Sequence, residues 1–151
     1  MSTKNDLAKL LELLIEQEGV VNARKSLASL IQDNEKPALT IIANLGSHRI
    51  PERYLRGEVY VASEGSFDFS TRSKVISQFQ DILRGVHKKL MERTWGRIFL
   101  IPTGHVTLSL QIKMLVYRVT RRSTIDVFYS DGKFFDIEID LRKKVQLIDA
   151  E

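Results

Sequence analysis

The sequence predicts an α/β domain of three layers, with a mainly parallel sheet, an antiparallel C-terminal hairpin and an N-terminal helical hairpin. Three observations predict this. Short apolar, β-branched runs at 38–45, 58–62 and 97–101 have the composition of buried strands. Between the second and third lies a stretch, residues 70–92, whose apolar residues recur at three- and four-residue steps, as in a crossover helix. Near the end, Asp131-Gly132 separates two β-branched and aromatic runs, the signature of a tight hairpin turn.

The elements follow in order. Leu7, Leu10, Leu11, Leu14 and Ile15 lie at helical spacing behind a possible Ser2-Thr3 cap. Gly19 ends that helix, and Asn22 can cap a second running to about Gln32, with Leu27, Leu30 and Ile31 on one side. Asp33 to Pro37 reads as a loop, so residues 1–36 form a helical extension and 37–151 the main domain. The long helix carries Val75, Ile76, Phe79, Ile82, Leu83, Val86 and Leu90, with Ser70 or Thr71 as its cap. His87 and Trp95 are expected at its boundary and its end. In the last hairpin, Phe135, Ile137, Ile139 and Leu141 are expected to face the core, with Asp136, Glu138 and Asp140 facing away.

Residues 105–117 admit two readings. Val106, Leu108, Leu110, Ile112 and Met114 alternate with polar residues, a strand pattern. Leu108, Ile112, Leu115 and Val119 also fall at helical steps, and the apolar stretch is long for a strand. We adopt the helix, from Gly104 to about Thr120. Strands then alternate with helices, which implies parallel pairing, with ligands expected where the strand-end loops cluster.

Composition bounds the function. The chain has 151 residues, 43% hydrophobic and 28% charged, as in an ordinary globular domain. With no cysteine it has neither disulfides nor thiolate metal ligands. No apolar run is long enough to span a bilayer and the N-terminus has no apolar signal core, so the expected location is cytoplasmic. The net charge of +4 is uneven: residues 49–122 carry fourteen basic and six acidic groups, a local +8, which suggests an anionic partner. The basic run Arg84, Lys88, Lys89, Arg93 lacks interleaved aromatics and reads as a solvated helix face.

Three loops should meet at one end of the sheet: Gly46-Ser47-His48, Ser63-Glu64-Gly65-Ser66 and Thr103-Gly104-His105. Glycine permits close backbone approach, and the free N–H groups after Gly104 would point at an anion. His48 and His105 could contact a phosphate or a base. Ser47 with His48, or Thr103 with His105, contains nucleophile and base types, but no third orienting group is evident. Neither a G-x-G-x-x-G run nor a G-K-[ST] ending is present, which excludes dinucleotide and P-loop readings. Asp136, Glu138 and Asp140 could hold a divalent cation but read better as the wet side of an edge strand. No catalytic residue, metal or cofactor is assigned.

The segment RIFLIPTGHVTLSLQIK (97–113), followed by TIDVFY (124–129), resembles the core of CARF and SAVED domains. VASEGSFDF (61–69) is also similar to SAVED sequences, and the likeness spans residues 38–141. It implies a Rossmann-like sensor of cyclic oligonucleotides in CRISPR and related antiviral defence. Two copies would face each other around the ligand as a homodimer, and a separate effector protein would respond. By the same resemblance Thr103, Gly104 and His105 would contact the ligand, with Gly46, Ser47, Ser63 and Glu64 nearby. CARF turns often read Thr-Gly-Gly with a nearby lysine, whereas His105 and Val106 stand here. Two alternatives stay open: a metal-independent phosphodiesterase of the ring-nuclease kind, placing the ribose 2′-hydroxyl at Ser47, His48 or His105, and a non-catalytic adaptor acting through the helical hairpin.

Overall fold

The computed structural model describes residues 2–46 and 49–139, with side chains from Asp6 onward. The chain divides into two compact units, residues 1–36 and 37–151.

The first unit is one helical run, α1 (Ser2–Glu35), broken at Gly19, whose φ of 76° and ψ of 158° suit glycine alone. The break falls where the sequence places it. The second half starts directly behind it, so Asn22 lies within the helix rather than capping it, and the helix takes in Asp33 to Glu35 of the expected loop. Ser26 Oγ donates to the Glu18 carboxylate across the break at 2.9 Å, and Ala23 is buried beside it. The leucines of both halves, Leu7 and Leu10 as well as Leu27 and Leu30, stay exposed, so they are not zipped together as a closed hairpin would be.

The second unit runs β1 (Leu39–Ile42), a 3-10 turn (Glu52–Tyr54), β2 (Glu58–Val61), α2 (Arg72–Met91), β3 (Ile98–Ile101), α3 (Val106–Thr120), β4 (Ile125–Ser130) and β5 (Lys133–Ile137). The sheet order is β2-β1-β3-β4-β5, parallel except for the β4–β5 pair. This is an α/β unit of Rossmann-like layout. Leu39 lies opposite both Glu58 and Ile98, which puts β1 inside the sheet, β3 lies between β1 and β4, and every residue of β1 and β3 is buried. Side-chain alternation sends Leu39, Ile41, Ile98 and Leu100 to one face and Ile42 and Ile101 to the other.

Chain direction explains what covers each face. The β2-α2-β3 and β3-α3-β4 connections step one way across the sheet, and β1-β2 steps the other. Connections of one hand then fall on opposite faces. Phe79, Val86 and Leu90 of α2 and Leu108, Ile112 and Val116 of α3 accordingly share one cluster with Leu39, Ile41 and Ile98. The opposite face is covered by the β1-β2 connection, with Ile50, Tyr54 and Leu55 packed on Ile42, Ile101 and Val127. Thr40 pins that connection: its buried hydroxyl donates to the Arg56 carbonyl at 2.6 Å and accepts from the Arg56 N–H at 3.0 Å. The Arg56 guanidinium then lies 3.7 Å from the Phe99 ring centroid and grips Asp136 through both carboxylate oxygens, at 2.6 and 2.7 Å.

Residues 106–120 are helical, with Leu108, Ile112 and Val116 buried at four-residue steps. Parallel pairing of β3 with β4 requires a crossover, which the strand reading could not provide. α2 is capped by the Thr71 hydroxyl, which accepts from the Lys74 N–H at 3.2 Å. Trp95, expected only to pack at a helix end, is fully buried in the core, while His87 is exposed. The last turn has Asp131 and Gly132 at φ 50° and 77°, as a two-residue hairpin demands.

The facing of β5 corrects the sequence reading. Phe135 is 45% and Ile139 59% exposed, whereas Phe134 packs on Tyr54 at 5.3 Å. Ile137 is half-buried, and Leu141 and Asp140 lie outside the described residues. Asp136, expected to face away, is turned towards Arg56. The side of β5 that gains a partner is the one under the 50–56 connection, where Phe134 meets Tyr54 and Asp136 meets Arg56.

Candidate ligand-binding edge

The C-terminal ends of the parallel strands bring the predicted loops together. Leu45 and Glu64 form a parallel bridge, with the Leu45 N–H donating to the Ser63 carbonyl at 2.8 Å. Thr103 reaches across from the third loop: its hydroxyl donates to the Asn44 carbonyl at 2.5 Å and accepts from the Asn44 N–H at 3.3 Å. The Ser63 hydroxyl donates to the Ala43 carbonyl at 2.6 Å, and the Asn44 side-chain amide donates to the Gly65 carbonyl at 3.0 Å. Asn44 thus ties all three loops, a role the sequence reading missed. Its one visible sign was a lone amide side chain closing an apolar strand.

These bonds change what the hydroxyls can do. Thr103 and Ser63 are half-buried and committed to backbone carbonyls, so they shape the edge and are not poised as nucleophiles. Gly46, Glu64, Gly104 and His105 are exposed along it, and Ser47 and His48 lie outside the described residues. Gly104 is required twice over: φ is 82°, and a Cβ there would stand 2.6 Å from Asn44 Cβ.

The edge is also where the connections diverge, since β1 leads to one face and β3 to the other. Ligands of open α/β sheets bind at such a switch point. The α3 N-terminus opens there, its Leu108 and Ser109 amides bonded to the His105 carbonyl and its Thr107 amide accepted by His105 Nδ1 at 3.3 Å. The amides of His105 and Val106 have no acceptor among the described residues. The His105 ring lies 5.3 Å from Phe69 and 6.2 Å from Phe79, and Phe67 is 5.8 Å from both phenylalanines. Phe69, also missed from the sequence, is held in a clamped loop. Asp68 N–H donates to Gln78 Oε1 at 2.9 Å, and Gln78 returns a bond to the Asp68 carbonyl at 2.8 Å. The Lys74 ammonium, with the Ser70 hydroxyl and amide, holds the Asp68 carboxyl below its ordinary value.

Part of the positive charge of the middle segment is engaged within the fold. Lys89 and Arg93 pair with Glu58, Arg84 with Asp81 and Lys74 with Asp68. Arg56 and Lys113 pair with Asp136 and Asp126, which belong to the acidic C-terminal segment. Asp136 is thereby committed to Arg56 rather than to a cation site, and no group of three metal-ligating side chains occurs among the described residues. No helix among them is long and apolar enough to cross a membrane.

Comparison with family models, curated proteins and solved structures returns no match to this chain.

Proposed function

We propose that residues 37–151 form a cytoplasmic binding domain for a nucleotide messenger of the cyclic-oligonucleotide class. In this reading it serves prokaryotic antiviral defence, with two copies facing one another across the ligand and a separate effector responding. The observation that carries the reading is the α3 N-terminus at the switch point. Two amides without acceptors among the described residues lie there beside the Phe69–His105 pair. Amides at a helix start suit a phosphate, and aromatic rings beside them suit a base. The engaged hydroxyl of Thr103 argues against the Thr103–His105 pair as nucleophile and base.

The test is thermal unfolding of the pure chain with cyclic di-, tri-, tetra- and hexanucleotides, followed by chromatography of the ligand. A ligand at about 100 times its Kd adds about 2.7 kcal/mol, a shift of several degrees. A shift with intact ligand supports the reading. Linear product would instead assign a phosphodiesterase, and no shift with any ring would refute nucleotide binding.

A further inference from the structure

Among the exposed apolar helix surfaces outside the proposed ligand edge, two are complementary. The outer side of α3 carries Leu110, Met114 and Tyr117, of which Met114 is 66% exposed. With Leu83 and Ile139 these line an open groove of about 1020 Å³. Arg118 and Arg121 lie on its rim, and no acidic residue is among those that line it. The second surface is the first half of α1, where Leu7 is 69% and Leu10 63% exposed. Residues 2–18 carry four acidic and two basic groups, and Glu12, Glu16 and Glu18 follow one another without an intervening base.

We infer that the α3 groove receives residues 2–18 of a second copy of this chain, and that reciprocal exchange closes a two-fold dimer. The surfaces match in three respects. Both are apolar and need cover, since an exposed patch of this kind marks an interaction site. They match in length: α3 has fifteen residues, about 22 Å, and a 17-residue helix spans about 25 Å. Their charges are opposite, so the acidic helix is steered to the arginine rim. Groove against groove would instead set arginine rim against arginine rim. Exchange in both directions uses each of these two surfaces once per copy, so the contact closes on itself as a two-fold pair.

The test uses the full chain without ligand, so its failure leaves the nucleotide reading untouched. Sedimentation velocity over a wide concentration range should show a species of twice the 17.3 kDa chain mass. Met114→Glu in the groove and Leu10→Glu on α1 each place a charge on an exposed position, so the fold should persist by circular dichroism while the dimer dissociates. Mixing these two monomeric variants should restore a heterodimer, because the α1 of the first still fits the groove of the second. Arg118→Glu with Arg121→Glu should raise the dimer Kd about tenfold or more, and Glu12→Arg with Glu16→Arg in the same chain should recover it. The inference is overturned by a monomer at every concentration, by a dimer that survives either single variant, or by a mixture that fails to complement.

Discussion

Replacing Gly104 by alanine probes the lock that gathers the three loops. The φ of 82° places the residue in the left-handed region, which costs an L-residue about 1–2 kcal/mol. The added Cβ would also stand 2.6 Å from Asn44 Cβ and 2.9 Å from its Nδ2, so Asn44 must move. Movement there lengthens the bonds to Thr103 and to the Gly65 carbonyl, each contributing about 1 kcal/mol. Together these predict a loss of about 2–4 kcal/mol. Gly65→Ala is the matched control, since φ is 75° but nothing lies within 4 Å of the added Cβ. That variant should lose only the backbone contribution, about 1–2 kcal/mol. Urea unfolding at neutral pH, read from the far-ultraviolet signal, measures both. Equal losses for the two variants would refute the contact between Gly104 and Asn44, and with it the account of how the edge is held.

Further outcomes follow from other elements. Ile112→Ala opens a cavity in the core and should cost about 2–5 kcal/mol, while Leu110→Ala, at an exposed position two residues away, should change stability by less than about 0.5 kcal/mol; similar losses in urea unfolding would contradict the helix. Arg56 holds the Asp136 carboxyl below its ordinary value of 3.8, so the unfolded chain takes up this proton first as the pH falls. The stability this pair contributes is therefore complete well above pH 3.8 and is lost below it. The gap between wild type and Asp136→Asn should narrow on acidification, and a gap that widens in unfolding curves between pH 6 and 3 would reverse the sign. Phe69→Ala removes one ring of the aromatic pair and should weaken a stacked base by about 1–3 kcal/mol, measured by calorimetry with the ring that gives the largest thermal shift. Unchanged affinity would move the base elsewhere on the edge.

Much of this architecture was legible along the chain. Central strands of parallel sheets are apolar on both faces, so Leu39–Ile42 and Ile98–Ile101 stand out as short apolar runs. The 3.6-residue period of 72–91, the break at Gly19 and the Asp131-Gly132 turn are likewise local matters of backbone geometry. The loops holding Gly46, Ser63 and Gly104 could be placed at one edge because parallel strands end together. What those loops do with their polar groups could not be read, because Asn44 and Thr103 are 59 residues apart and their bonds exist only once β1 and β3 are neighbours.

Strand facing at the sheet margin was equally a tertiary decision. The alternation in β5 is nearly symmetric, with Phe134 and Phe135 adjacent, and either could have pointed inward. The choice went to Phe134 because Tyr54 and Arg56 cover that side, and Asp136 follows on the same face to meet Arg56. The fate of the basic segment was decided in the same way. Composition reports fourteen cations between residues 49 and 122, but only the fold sets Arg56 and Lys113 against carboxylates from beyond residue 122. By itself, then, the sequence determined most of the elements and their kinds, because these depend on neighbours a few residues away, whereas the helix at 106–120 and the strand order β2-β1-β3-β4-β5 were settled by long-range pairing. The tertiary structure alone decided which polar groups are already engaged and which apolar faces remain open, because both depend on contacts between residues far apart in the chain.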